Sequence, residues 1–328
     1  MTDAPPILIT GVAGFIGQAT ALRLLDEGQY VLGIDNFNDY YDPALKHARV
    51  ARLKQRPGFT LLKGDVADPE TISDVVQRHG IRRVIHLAAQ AGVRHSINAP
   101  FSFERANLAG HLSVLEACRR ASHFEHLVYA SSSSVYGDRP LGKTGFGEED
   151  ATDRPVSLYA ATKRACELMS ESYASVYGFP QTGLRLFTVY GPWGRPDMAY
   201  FKFTRAILAG HPIEVYGYGQ MTRDFTYIDD IVDAIMGALV RTPDRGENRI
   251  LNVGDHEPVG LMTMIATLES ALGRSAEIIL RPMQPGDVAA TYADVTRLRN
   301  LMAYEPKVKL ADGLARFVDW YRDFYLHG

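Results

Sequence analysis

The chain has 328 residues, of which 46% are hydrophobic and 22% charged, with a formal charge of −3. That is the make-up of an ordinary globular protein with enough apolar material for one large domain or two. A slightly negative total gives no overall attraction to nucleic acid or to an anionic membrane, so an anionic ligand needs arginines placed locally. The two cysteines, Cys118 and Cys166, form no close metal or redox motif and read as reduced core thiols. The opening "MTDAPPILITG" runs straight into a strand, and no segment reaches the apolar length of a membrane span. A cytoplasmic protein without nucleic-acid or membrane partners is expected.

Apolar, β-branched runs recur at "PILIT", "YVLGID", "FTLLKGD", "RRVIHLAA", "HLVYASS" and "TGLRLF". Helix-like stretches lie between them, such as "QATALRLLDEG", which ends at Gly28, and "LSVLEACRRA". Short continuous apolar strands joined by helices imply an α/β fold with a parallel sheet covered on both faces. Past residue 185 the loops "YGPWGRPDM", "YGYGQMTRD" and "MQPGD" separate shorter elements. The expected organisation is therefore a first domain over 1–184 and a smaller one over 185–328, the latter lying across the carboxyl edge of the sheet where ligands bind. "RTPDRGENR", residues 241–249, reads as a surface loop.

"ILITGVAGFIGQATALRLL" sets Gly11, Gly14 and Gly17 between the first strand and the first helix. Glycines there permit a sharp turn, bring backbone N–H groups close to a pyrophosphate and let helix pack on strand, while the helix N-terminus presents its positive dipole end. The spacing is GxxGxxG, and its position directly after an N-terminal strand gives it weight. The second strand ends at Asp35, roughly 20 residues past the glycines, where a carboxylate accepts the adenosine ribose hydroxyls. It would repel a 2′-phosphate, so NAD is expected over NADP; the plainer reading is a strand-ending aspartate. Asp65 in "KGDV" falls near the adenine, and Ala88 and Ala89 in "HLAAQAG" are small enough for backbone to run beside the dinucleotide.

"HLVYASSSSVYGD" places four serines, Ser131 to Ser134, at the end of an apolar run. Downstream, "PVSLYAATKRACELM" holds Tyr159 and Lys163, four apart and so on one helix face. An ammonium beside a phenol favours the phenolate, which makes a tyrosine a usable acid–base group. YxxxK alone is a common accident; together with the serines and the glycine turn it is not.

These motifs, in this order and with the later "VYGP", resemble the nucleotide-sugar epimerases of the extended short-chain dehydrogenase/reductase family. "DNFNDYYDPALKHARVARL", "LAAQAGVRHS", "ASSSSVYG", "LRLFTVYGPWGRPDM", "RDFTYIDDI" and "MQPGDV" resemble the UDP-glucuronate 4-epimerase subgroup. The resemblance covers essentially the whole chain and implies a Rossmann-type doubly wound sheet with a smaller UDP-sugar-binding domain. It implies that Ser132 and Tyr159 contact the sugar O4, that Tyr159 takes its proton, and that Lys163 holds Tyr159 and the nicotinamide ribose. It further implies that C4 is oxidised by bound NAD and reduced again from its other face. The cofactor set is completed by Phe15, Ile16, Asn36, Val66, Leu87, Gln90 and Asn107.

Dehydrating relatives carry acids where this chain has Ser133 and Ser134, and decarboxylating ones usually keep a glutamate there. Return of the 4-keto sugar is therefore expected, with UDP-galacturonate the product. Oxidising C4 of a glucuronate makes a β-keto acid, and Ser133, Ser134 and Thr188 are the candidates for holding its carboxylate out of alignment with the carbonyl. For Ser131 the expectation is that its hydroxyl satisfies a backbone group at the strand end. The resemblance puts Arg223 at the diphosphate and Arg195 beside the sugar phosphate, matching the bidentate fork of arginine. Asp287 is assigned to a uridine ribose hydroxyl, although Gln284 stands where related hexose epimerases have arginine. "YFKFTRAIL" reads mainly as a core helix, with Phe201 able to pack near uracil. A 4-epimerase of UDP-glucose or UDP-N-acetylglucosamine stays open because Thr291 is small; a decarboxylase and a non-catalytic dinucleotide-binding protein are disfavoured. Family members commonly pair through helices corresponding to 107–121 and 159–177, so a homodimer is expected.

Overall fold

The computed structural model describes residues 5–140 and 145–326. The first half of the chain forms β1 (Ile7–Thr10), α1 (Phe15–Asp26), β2 (Val31–Asp35), α2 (Pro43–Lys54), β3 (Phe59–Lys63), α3 (Pro69–Arg78) and β4 (Arg83–His86). Then come α4 (His95–Asn98), α5 (Pro100–Phe103), a π-helical stretch at Glu104–Ala109, α6 (Gly110–Arg120), β5 (His126–Ser132), α7 (Leu158–Tyr177) and β6 (Gln181–Leu186). The remainder forms β7 (Thr188–Tyr190), α8 (Ala199–Leu208), β8 (Ile213–Val215), β9 (Thr222–Tyr227), α9 (Ile228–Val240) and β10 (Asn248–Val253). It closes with β11 (Pro258–Gly260), α10 (Leu261–Leu272), β12 (Ile278–Leu280), α11 (Thr296–Met302) and α12 (Leu310–Tyr325).

All six expected strands are present, and they belong to one seven-stranded sheet in the order β10-β6-β5-β4-β1-β2-β3. β1 runs parallel to β2 and β4, β2 to β3, and β4 to β5. The strand order reverses between β1 and β4, which makes their carboxyl ends the place where an open α/β sheet binds ligands. This is the Rossmann-type architecture expected from the sequence. The strands are continuous apolar runs because helices cover both faces: every residue of β1 and β2 is buried. Leu8, Leu32, Val84 and Leu127 pack with Ile72 and Val76 of α3 and with Val114 and Cys118 of α6. Both cysteines are buried and unpaired, and burial pushes their thiols up, Cys166 to about 11.

The chain divides into two compact units, one of Met1–Val135, Ser157–Arg185 and Val232–Leu251, the other of Tyr136–Val156, Leu186–Ile231 and Asn252–Gly328. Two stretches thus lie across the line drawn at residue 185: 136–156 joins the second unit, and 232–251 brings most of α9 and β10 back to the first. In the second unit β9 pairs parallel with β7 and antiparallel with β11, and β8 pairs with β12. The buried Asp224 carboxylate of β9 accepts from the backbone N–H of Asp255, His256 and Ala293 and from the Thr226 hydroxyl. That knot fixes three chain segments beside Arg223. No helix among the described residues is long and apolar enough to cross a membrane.

In the first unit His111 of α6 is fully buried, with Nε2 hydrogen-bonded to Ser170 Oγ at 2.8 Å. Burial, reinforced by the charge of Lys163, lowers its pKa from 6.5 to about 3. Between those values the unfolded chain carries a proton that the folded chain refuses, so stability falls as pH drops through that window. His111→Gln should flatten the slope of unfolding free energy against pH there by up to one proton, about 1.4 kcal/mol per pH unit. Urea titrations across that range measure it, and equal slopes in variant and parent would contradict it.

Candidate active site

The turn after β1 is held by the Gly14 N–H on the Gly11 carbonyl at 2.9 Å and the Gly11 N–H on the Ile34 carbonyl at 2.8 Å. Gly11 has φ +71°, and a Cβ there would stand 2.7 Å from the backbone nitrogen of Ala88, so no side chain fits. A Cβ at Gly17 would collide with the Gly11 carbonyl oxygen. α1 starts here with no side-chain cap and no acidic residue in its first turn. By contrast, α2, α3 and α7 of the same unit are capped by Asp42, Asp68 and Ser157. The bare N-terminus behind a glycine turn is a ready site for phosphate oxygens. Phe15 is buried beneath it and Ile16 is half-buried.

Asp35 ends β2 with Oδ2 accepting from the Ala13 N–H at 3.0 Å and Oδ1 from the Phe37 N–H at 2.9 Å. A carboxylate offers about four acceptor sites, which leaves room for a pair of ribose hydroxyls. Asn36, beside it, is exposed and its side chain accepts from the Asn38 N–H. Two cations that the sequence reading passed over support this corner. Arg49 is fully buried and gives Nη1 to the Ala13 carbonyl at 3.1 Å and to the Tyr41 hydroxyl at 2.6 Å. Lys46 donates to both the carbonyl and the side chain of Asn38 at 2.7 Å; burial lowers its pKa, against the charge of Asp35. The glycines, the free helix end and Asp35 fit a dinucleotide with an unphosphorylated ribose.

Along the next strand ends, Asp65 accepts from the Ala67 N–H and pairs with Arg105 at 3.2 Å, while Val66 is buried. The Leu87 N–H reaches the Thr10 carbonyl and the Ala88 N–H the Thr10 hydroxyl, which brings Leu87, Ala88 and Ala89 to the edge that carries the glycine turn. Asn107 is a bracket: its Oδ1 accepts from the Gln90 N–H, and its Nδ2 donates to the Gln90 carbonyl and to Thr162 Oγ1 on α7. It sits in the π-helical stretch, an irregularity common at functional sites.

Tyr159 lies in the first turn of α7, half-buried, its ring edge-on to the buried Phe103 at 6.1 Å. Lys163, one turn on, is 5% exposed and its Nζ donates to the Ala130 carbonyl of β5 at 2.8 Å. Ser132 follows two residues later. Its Oγ accepts from the Ser134 N–H at 3.2 Å and meets the Ser134 hydroxyl at 3.0 Å. Ser133 opens the 3₁₀ turn that carries the chain out of the strand. Ser131 turns inward and donates to Glu167 Oε1 at 2.6 Å, a side-chain partner on α7 in place of the backbone group expected for it. Glu167 and its partner Arg185 were missed in the sequence; a charge inside the apolar run "TGLRLF" was the signal, since such a charge must find a partner.

In the second unit Thr188 begins β7 and is half-buried. Arg195 forms a two-pronged pair with Asp197, Nε–Oδ1 at 3.0 Å and Nη2–Oδ2 at 2.5 Å. Arg223 lays its guanidinium on the carbonyls of Thr222, Val288 and Ala289. The Asp287 N–H closes a turn on the Gln284 carbonyl at 3.1 Å. Phe201 is 2% exposed and packs among Phe317, Trp320, Tyr321 and Tyr325, a core position that offers uracil no face.

A glycine turn under a doubly wound sheet, with Ser132 at the end of β5 and Tyr159 and Lys163 on the adjoining α7, fits an NAD-dependent enzyme of the epimerase and dehydratase type. The model of the NAD dependent epimerase/dehydratase family matches residues 7–254, and the chain belongs to that family. It is 45% identical over 335 residues to a probable UDP-glucuronate 4-epimerase of Rhizobium meliloti (strain 1021), covering 97% of each chain. It is 44% identical over 336 residues to UDP-glucuronate 4-epimerase 3 of Arabidopsis thaliana, covering 98% of this chain and 77% of that one. UDP-glucuronic acid 4-epimerase from Bacillus cereus, solved in complex with UDP-glucuronic acid and NAD, matches with a TM-score of 0.90 at 34% identity, over 98% of this chain and 100% of the other.

Because the Gly17 Cβ position is filled by the Gly11 carbonyl, Gly17→Ala must displace the turn. NAD affinity should fall about tenfold or more, at least ~1.4 kcal/mol. Calorimetric titration with NAD tests this, with circular dichroism reporting on the fold; an unchanged dissociation constant would remove the turn from the binding site.

Proposed function

We propose that the chain interconverts UDP-glucuronate and UDP-galacturonate by inversion at C4. The observation that carries the reading is the end of β5, where Ser132, Ser133 and Ser134 offer hydroxyls and no carboxylate beside the helix bearing Tyr159 and Lys163. The identity to enzymes that carry this activity in their names supports it.

When bound, NAD supplies the reversible two-electron oxidation at C4. Tyr159 takes the O4 proton and later returns it, and Ser132 donates a hydrogen bond to the same oxygen. Lys163 holds the nicotinamide ribose and Tyr159 from one helical turn away. With no acid at positions 133 and 134 to work at C5, the 4-keto sugar is handed back rather than dehydrated. Ser133, Ser134 and Thr188 hold the sugar carboxylate, their short neutral hydroxyls binding it loosely enough for the sugar to turn. Arg195, Arg223 and Asp287 are assigned to the UDP moiety and Phe201 to the core. Asp35 and the glycine turn hold the adenosine and pyrophosphate, with Asp65, Val66, Leu87, Ala88, Ala89 and Gln90 along the cofactor and Asn107 bracing them. The two buried, unpaired thiols accord with a reducing, cytoplasmic setting.

A homodimer is part of the reading. Phe101 and Leu112, and on α7 Leu168 and Val176, are 84%, 42%, 54% and 67% exposed. Exposed apolar side chains on α5, α6 and α7 suit a bundle with a second copy.

Incubation with UDP-glucuronate and no reductant should yield UDP-galacturonate, faster than any turnover of UDP-glucose or UDP-N-acetylglucosamine. Tyr159→Phe should lower kcat about 100- to 10,000-fold. Inversion by that variant at the parent's rate would end the proposal, and release of CO₂ as the main product would replace it with a decarboxylase. Light scattering should find a dimer that Leu168→Asp with Val176→Asp converts to a monomer; a monomeric parent overturns the assembly.

A further inference from the structure

Glu167 lies on α7 one turn beyond Lys163, and its side chain is 1% exposed. Oε1 accepts from Ser131 Oγ at 2.6 Å and from Arg185 Nε at 2.8 Å. Oε2 accepts from Arg185 Nη2 and from Arg164 Nη1, each at 2.9 Å. All the acceptor sites of the carboxylate are thus filled, by donors from β5, β6 and α7 itself. Arg185 is only 4% exposed, so this is an ion pair taken out of water. Burial alone would raise the carboxyl pKa; the hydrogen bonds and charge of Arg185, with the Ser131 bond, outweigh it and hold Glu167 below the usual range.

Stability does not require such a pair. Two buried charges lose hydration worth several kcal/mol each, and well-packed apolar residues in their place are often neutral or stabilising. What the pair does provide is register. The end of β5 is tied to α7 twice, at Ala130 through Lys163 and at Ser131 through Glu167, by residues four apart on the same helix. Ser132 is the next residue of the strand, and Tyr159 lies one turn before Lys163 on the helix. A slip of the strand end along α7 therefore changes the disposition of Ser132 toward Tyr159.

We propose that Glu167, acting through Ser131 and Arg185, is a positioning residue that sets the register of the strand end carrying Ser132 against the helix carrying Tyr159 and Lys163. The proposal rests on the function given above. It touches neither substrate nor cofactor, and it assigns to Ser131 a task distinct from those of its three neighbours.

Ser131→Ala removes only the hydroxyl that links Glu167 to β5. It should lower kcat about 10- to 100-fold, the scale of a small misplacement of reacting groups. KM for UDP-glucuronate should stay within about twofold, because uniform binding is untouched. The pair Glu167→Met with Arg185→Met should keep or raise the melting temperature and lose kcat to the same degree. A parental kcat in Ser131→Ala, or a loss confined to KM or to melting temperature, overturns the proposal. If the double variant does not fold, Ser131→Ala alone decides. A parent without turnover of UDP-glucuronate would sink the functional reading instead. The crystal structure of Ser131→Ala would then judge the register: Lys163 Nζ beyond about 3.5 Å from the Ala130 carbonyl supports it, and an unchanged 2.8 Å contact overturns it.

Discussion

The ammonium of Lys163 on the Ala130 carbonyl is the contact from which the rest of the site takes its position. A lysine 5% exposed must spend its donors on fixed acceptors, because an unpaired buried charge is costly. On the β4 side, β5 outruns its neighbour, which leaves the acceptor available. Pairing with β4 ends at His86 opposite Tyr129, and Ala130, Ser131 and Ser132 continue beyond it. A carbonyl past the paired stretch can serve a side chain from a helix, and α7 supplies it. Since α7 is capped by Ser157 just before Tyr159, this contact and the Glu167–Ser131 bond together relate the phenol to the Ser132 hydroxyl on the roles proposed for them.

The serine tract follows from the same geometry. A run of four serines suggests a loop, yet here the strand includes two of them, Ser131 bonds to Glu167, and Ser132 and Ser134 bond to each other. Ser131 faces inward to Glu167. Ser132 accepts from the Ser134 backbone and meets its hydroxyl, so its lone pairs are engaged and its own hydrogen is the part left to give. A serine whose acceptor side is occupied is set up as a donor, which suits the role proposed for Ser132 at the sugar O4. Short side chains are what make this possible at consecutive positions, since nothing longer would keep three hydroxyls within one turn of backbone.

The parts of the fold legible in the sequence are those encoded locally. Apolar runs gave the six strands, the glycine trio gave the turn, and the spacing of four put Tyr159 and Lys163 on one face, where α7 holds them. What stayed hidden depends on partners far away in sequence. Arg49 reaches the Ala13 carbonyl across 36 residues, and Arg185 meets Glu167 across 18. Neither contact leaves a periodic trace, although a charge in a buried strand is itself a warning that a partner exists. The return of 232–251 to the first unit carries no change of composition that would mark it. Phe201 was ambiguous because a core helix and a ligand wall use the same residues; its rings of contact come from α12, where Phe317, Trp320, Tyr321 and Tyr325 repeat at helical spacing.

Electrostatics then separates the two ligands. A chain with formal charge −3 has no general pull on polyanions, so each site must be local. On the assignment proposed for the glycine turn, the phosphates of the cofactor meet backbone N–H groups of α1 for which no side-chain cap competes. On the assignment proposed for Arg195 and Arg223, the nucleotide sugar meets guanidinium groups already satisfied, by Asp197 in one case and by the carbonyls of Val288 and Ala289 in the other. Binding there exchanges one acceptor for another, so only the difference between them contributes to affinity. Donors for which no side chain competes favour retention of a ligand; donors that fall back on protein acceptors favour its release. That asymmetry is what an epimerase needs, with a cofactor that remains through every cycle and a product that leaves after each one.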